Sequence, residues 1–124
     1  VTLRLPGGQA VAATITQEST RTLGLAPGVQ AVALIKAPAV MLMRGAGEWR
    51  VSAENQLQCV VTEIRDGAVQ AEVRLRLLDA NAASAGETVL VAMLSRTAVD
   101  TLALAEGVDA VAVFEASSVI LGLA

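Results

Sequence analysis

From Val69 to Leu77 the chain alternates. Val69, Ala71, Val73, Leu75 and Leu77 are apolar, and Gln70, Glu72, Arg74 and Arg76 between them are polar. A period of two belongs to a strand with one face buried, so this segment is predicted to be a β-strand. Asp66-Gly67 just ahead of it predicts a hairpin turn, with Gly67 supplying a positive φ. The pattern changes at "TQESTRTLGL", where Thr16 is placed to cap a short helix that ends near Gly24, a residue able to turn left-handed. Pro27-Gly28 then turns the chain into another strand, as Glu106-Gly107 does later.

The apolar pattern also recurs. "TLGLAPGVQAVALIKAPAVML" (Thr22 to Leu42) lies over "TLALAEGVDAVAVFEASSVIL" (Thr101 to Leu121) without a gap at an offset of 79, with about half the positions identical. The register runs upstream through Ala10–Ser19 over Val89–Ala98, and Gly7 falls over Gly86. Each unit ends in strand, turn, short helix, tight turn and strand. The segment Ser52 to Leu78 opens the second unit, and its counterpart in the first would fall before Val1, so the chain is expected to begin partway through repeat one. Five short strands and one short helix per unit predict an all-β protein of two OB-like Greek-key β-barrel subdomains. The expected boundaries are 1–45 for repeat one, 46–51 for a Gly-rich connector and 52–124 for repeat two. Trp49, in that connector, is expected to cover a seam between the units.

Composition narrows the chemistry. Hydrophobic residues make up 54% of the 124 and aromatics 2%, so the core must be thin and built from Val, Ala, Leu and Ile. Mean hydropathy is +0.59. The longest uncharged run, Thr22 to Ile35, is nevertheless too short to span a bilayer and is broken by Gly24, Pro27 and Gly28, which predicts a soluble protein with no membrane partner. The opening "VTLRLPGG" alternates like a strand and does not resemble a secretory signal. One cysteine, Cys59, rules out a disulfide within the chain. The absence of histidine leaves cationic metals few ligands and removes every Ser-His or Cys-His nucleophile. Enzymatic function is not expected. A net charge of −3 without a basic stripe argues against direct nucleic-acid binding.

One charge stands out. Lys36, the only lysine, interrupts the apolar run "VQAVALIKAPAVMLM", and Glu115 takes its place in repeat two. A cation there costs free energy unless it snorkels to solvent or meets a negative partner. Thr16 and Ser19 have the spacing T-x-x-S at a helix start, where free N–H groups and the helix dipole favour an anion. Capping alone also accounts for Thr16, and Glu18 in the same turn opposes an anion. In repeat two the three positions become Ser95, Ala98 and Glu115, so one hydroxyl is lost and the cation is reversed.

Taken with "LGLAPGVQAVALIKAPAVML", the "SAENQL" opening and the "VFEASSVIL" ending, the tandem resembles the molybdate- and tungstate-binding Mop domains. More narrowly, it resembles the C-terminal sensor region of the molybdate-responsive transcriptional regulators. That resemblance implies paired OB-like subdomains that form a homodimer in the cytoplasm and bind molybdate or tungstate at the subunit interface, with no organic cofactor. It places anion contacts on Thr16, Ser19, Lys36 and Ala37, the last through its backbone N–H, and suggests Ser52 as a further contact. Glu54 stands where the family's "SARN"-like loop has arginine. The family's DNA-binding winged helix is not among these 124 residues, so DNA would be reached only through such an N-terminal part.

The function implied is effector sensing for a molybdenum-responsive regulator. The alternative is a cytoplasmic molybdate storage or buffering protein of tandem Mop units. An accessory domain of an oxyanion importer's ATPase and a purely structural tandem complete the alternatives.

Overall fold

The computed structural model describes residues 1–45, 50–80 and 85–123. Repeat one contains β1 (Thr2–Arg4), β2 (Ala10–Ala12), α1 (Gln17–Leu23), β3 (Val32–Ile35), a 3-10 turn (Ala37–Ala39) and β4 (Met41–Met43). Repeat two contains β5 (Asn55–Asp66), β6 (Gln70–Leu78), β7 (Ala85–Ser95), α2 (Arg96–Thr101), β8 (Asp109–Phe114), a second 3-10 turn (Ala116–Ser118) and β9 (Val119–Gly122). The protein is mostly β with few helices. Trp49 lies outside the described residues, as do most of the connector positions.

The strands are not paired repeat by repeat. A five-stranded sheet runs β4-β8-β5-β6-β7, and β3 pairs with β9, all antiparallel. In the β3–β9 ladder Ala33 stands opposite Leu121, and in the β4–β8 ladder Leu42 stands opposite Ala112. Moving Ala33 forward by the 79-residue offset gives Ala112, and moving Leu42 likewise gives Leu121. The two ladders are therefore one pairing with the roles of the repeats exchanged, and each repeat pairs its last two strands with those of the other. The β1–β2 ladder sets Leu3 opposite Val11, and β6–β7 sets Leu75 opposite Leu90, the residue 79 beyond Val11.

The main core cluster draws on both repeats. Val11, Val40 and Leu42 pack with Leu57, Val61, Val73, Leu75, Phe114 and Leu121. Phe114, the largest fully buried side chain, sits 79 residues beyond Ile35, which packs only partly buried against the same cluster. Ala71, Val73, Leu75 and Leu77 are buried as their alternation predicts. Val69 departs from the pattern at 77% exposure, because the chain is still turning there and β6 starts at Gln70. Gly67 is also not at positive φ. Its need is for space: a Cβ there would lie 2.5 Å from the carbonyl oxygen of Gln70, to which its own N–H donates at 2.8 Å. The hairpin selects glycine for close backbone approach.

α1 follows its sequence closely. Thr16 caps it through an Oγ1 that accepts from the N–H of Ser19, and Gly24 closes it with φ of 66°. α2 ends with Ala103 at φ of 50°, in the position of Gly24. Arg44, just past β4, donates to the carbonyls of Leu102 and Ala103 at 2.9 and 3.2 Å, which ties repeat one to that strained end.

Two polar side chains join the repeats from within. Asn55, 3% exposed, accepts from the N–H of Ala12 at 2.8 Å and donates to its carbonyl at 2.9 Å, copying a strand partner. Gln9 donates to the carbonyls of Gln58 and Leu78 and accepts from the N–H of Gln58 at 3.1 Å. Substituting Asn55→Ala leaves both backbone groups of Ala12 without this partner and is expected to cost about 2–3 kcal/mol in urea unfolding. Gly24→Ala meets open space but keeps the left-handed φ, so the expected loss is about 1 kcal/mol from backbone strain, read as a lower thermal midpoint.

Candidate functional site

The α1 N-terminus places the first two site residues together. Thr16 and Ser19 are exposed. The hydroxyl of Thr16 donates to Ser19 Oγ at 2.9 Å while accepting from the Ser19 N–H at 3.0 Å. The backbone carbonyl of Thr16 takes both the N–H and the hydroxyl of Thr20 at 3.0 Å. Both site hydroxyls can therefore turn their protons outward without uncapping the helix, because the capping role needs only a lone pair of Thr16.

Lys36 and Ala37, the next two predicted contacts, lie at the end of β3. β3 ends with Ile35 opposite Val119, so Lys36 leaves the ladder beside the end of the second 3-10 turn. Lys36 is exposed, and its ammonium group enters no hydrogen bond or ion pair among the described residues. Ala37 opens its own 3-10 turn, whose internal bonds use the carbonyls of Lys36 and Ala37, and the Ala37 N–H has no partner among the described residues. The strand leading into α1 reaches the same region: the N–H of Thr14 donates to the Ala116 carbonyl at 3.0 Å. The second 3-10 turn is thus flanked by the β3–β9 ladder that ends just before Lys36 and by Thr14, two residues ahead of Thr16. No hydrogen bond joins Lys36 or Ala37 to Thr16 or Ser19 among the described residues.

In repeat two the equivalent positions carry opposite chemistry. Ser95 caps α2 by accepting from the N–H of Ala98 at 3.1 Å, and Ala98 offers no second hydroxyl. Glu115 replaces the lysine and accepts from the Ser117 hydroxyl at 3.2 Å. The N–H of Ala116, counterpart of Ala37, donates to Glu54 Oε1 at 2.6 Å. Ser52 is exposed and enters no hydrogen bond among the described residues. Sequence reasoning noted Glu54 only as a departure from an expected arginine and missed its bond to Ala116. It also missed Asn55, although an amide at an inward position of an alternating strand (Asn55, Leu57, Cys59) is a signal that a buried polar group has a dedicated partner.

Among the described residues no group of three His, Cys, Asp or Glu side chains could hold a metal ion. Burial pushes the Cys59 thiol up to about 12, and its Sγ donates to the Leu57 carbonyl at 3.4 Å, which makes it a core residue and a poor nucleophile. Among the described residues no helix is long and apolar enough to cross a membrane.

Comparison with known proteins gives this geometry a context. The TOBE domain model matches residues 1–42 and 51–121. The chain is 43% identical over 123 residues to the molybdenum-pterin-binding protein MopA of Rhodobacter capsulatus, covering 99% of this chain and 44% of MopA. It is 36% identical over 123 residues to the molybdenum transport protein ModE of Herbaspirillum seropedicae, again 99% of this chain and 43% of the relative. The chain therefore spans less than half the length of these relatives. A solved structure of the cytoplasmic molybdate-binding protein ModG, with molybdate bound, superposes with a TM-score of 0.88 at 43% identity, covering 99% of this chain and 82% of that one. With a family model matching both repeats, the chain belongs to the TOBE-domain family.

Proposed function

We propose that this chain binds molybdate or tungstate as an intact tetrahedral oxyanion, and that binding rather than turnover is its task. The observation that carries the proposal is the contrast between the two 3-10 turns. Lys36 and Ala37 offer an ammonium group and an N–H without protein partners among the described residues, whereas Glu115 and Glu54 place carboxylates at the equivalent turn. A doubly charged oxyanion in a partly dry site needs several donors and a positive charge. The Lys36 ammonium, the Ala37 N–H and the hydroxyls of Thr16 and Ser19 supply them. Ser52 is the remaining candidate, through its exposed hydroxyl. The relatives support the ligand: MopA and ModE carry molybdenum in their names, and ModG was solved with molybdate.

The same reading extends to architecture and setting. Each repeat is an OB-like Greek-key unit, 1–45 and 52–124 joined by 46–51, with the last two strands of each paired to those of the other. The ligand sits where a second copy of the chain meets the first, and the protein works in the cytoplasm, as ModG does. A buffering role is supported by ModG, most of whose length this chain covers. The second reading, an effector-sensing region of a regulator, is favoured by the lengths of MopA and ModE, more than half of which lies outside the matched part. In that case a binding free energy spent on dimer geometry reaches an attached DNA-binding part.

Isothermal calorimetry checks the assignment. Lys36→Ala is expected to weaken molybdate binding about 10- to 100-fold, the worth of a charge-assisted hydrogen bond of ~1.5–3 kcal/mol, while Glu115→Ala leaves binding intact. Equal titrations of wild type and Lys36→Ala would refute it. Molybdate at about 100 times its dissociation constant is expected to stabilise the fold by ~2.7 kcal/mol, seen as a raised melting transition, and the same molybdate concentration is expected to stabilise Lys36→Ala by only ~0.4–1.4 kcal/mol.

A further inference from the structure

We propose that Glu54 is a built-in anion: its carboxylate occupies in repeat two the position that an external oxyanion takes at Ala37 in repeat one, and so closes repeat two to the ligand. This rests on the oxyanion reading of Ala37 given above. The N–H groups of Ala37 and Ala116 are counterparts at the 79-residue offset, and each opens a three-residue 3-10 turn. One has no protein partner among the described residues. The other is held by Glu54 Oε1 at 2.6 Å, the short distance of a charge-assisted bond.

The carboxylate is held there firmly. Glu54 directly precedes Asn55, whose side chain accepts from the Ala12 N–H at 2.8 Å and donates to the Ala12 carbonyl at 2.9 Å. Ala116 is buried and is pinned from its other side, where its carbonyl accepts from Thr14 at 3.0 Å. Glu115 adds a second negative charge at the place where repeat one has Lys36. An incoming oxyanion would therefore have to displace one carboxylate and approach another, without the cation that Lys36 supplies in repeat one. Repeat symmetry offers two turns, and Glu54 leaves one of them available.

A structural cap on the turn would alter stability alone, so the test reads ligand response. Amide spectra of 15N-labelled chain are recorded during molybdate titration for wild type, Glu115→Lys and Glu54→Ala/Glu115→Lys. The Ala37 amide is expected to move in all three. The Ala116 amide should stay fixed in wild type and in Glu115→Lys, where Glu54 still holds it, and should move in the double variant, with the calorimetric stoichiometry rising twofold. Movement of Ala116 in Glu115→Lys as large as in the double variant would overturn the role of Glu54. So would a motionless Ala116 in a double variant whose other amides keep their positions. If loss of Glu54 unfolds the chain, Glu54→Gln/Glu115→Lys retains an acceptor for the N–H and is expected to respond at higher molybdate concentration; silence there has the same adverse meaning. A motionless Ala37 in wild type would instead refute the oxyanion reading itself.

Discussion

Everything in this molecule depends on the reciprocal pairing of the last two strands of each repeat with those of the other. The register is strict because Leu42 and Leu121 must both point into the common core while Met41 and Ile120 stay outside. A slip of one residue in either ladder would turn those faces inside out. With small side chains and almost no aromatic residues, neither repeat has material for an ample core of its own. Val40, fully buried near a cluster built mostly from repeat two, shows how the shortage is met. The exchange also brings the ends of β3 and β9 together, and with them the turns that carry Lys36 and Ala116.

On that symmetric backbone the chemistry is asymmetric. Both short helices are capped by a hydroxyl accepting from an N–H three residues on, at 3.0 Å for Thr16 and 3.1 Å for Ser95. α2 does this with an alanine at the third position, so helix stability does not require the hydroxyl of Ser19. It does not require an unpaired Lys36 either. These are the features of repeat one that local structure leaves unexplained, and they are donors. The counterparts in repeat two are a methyl group and carboxylates. The same comparison explains why α1 ends on Gly24 whereas α2 tolerates Ala103 at positive φ: the carbonyls of Leu102 and Ala103 are bonded by Arg44 from the other repeat.

Much of this was legible in the sequence, for physical reasons. Periodicity of two marked the buried positions of β6, because one face of that strand meets the core along its whole length. Thr16 and Gly24 marked the ends of α1, because helix termini need particular residues. The exchange of β3 and β4 was not legible: antiparallel pairing has no local code, and two similar repeats offer each strand two nearly equal partners. Val69 looked like part of the strand because alternation says nothing about where a turn ends. Gly67 looked like a positive-φ residue, whereas crowding against the Gln70 carbonyl is invisible without coordinates. For the site, the residues Thr16, Ser19 and Lys36 carried their chemistry in the sequence. The bond from Ala116 to Glu54 joins positions 62 apart and needed the fold.

The central claim is that two backbone turns related by the repeat offer opposite electrostatic hosts, of which one accepts an oxyanion. Anomalous diffraction at the molybdenum edge from a molybdate-soaked crystal tests it most directly. The account predicts a peak within hydrogen-bonding reach of the Lys36 ammonium and the Ala37 N–H, with the Glu54 carboxylate still on Ala116. A peak on Ala116 with Glu54 displaced, or one remote from Lys36, would contradict it.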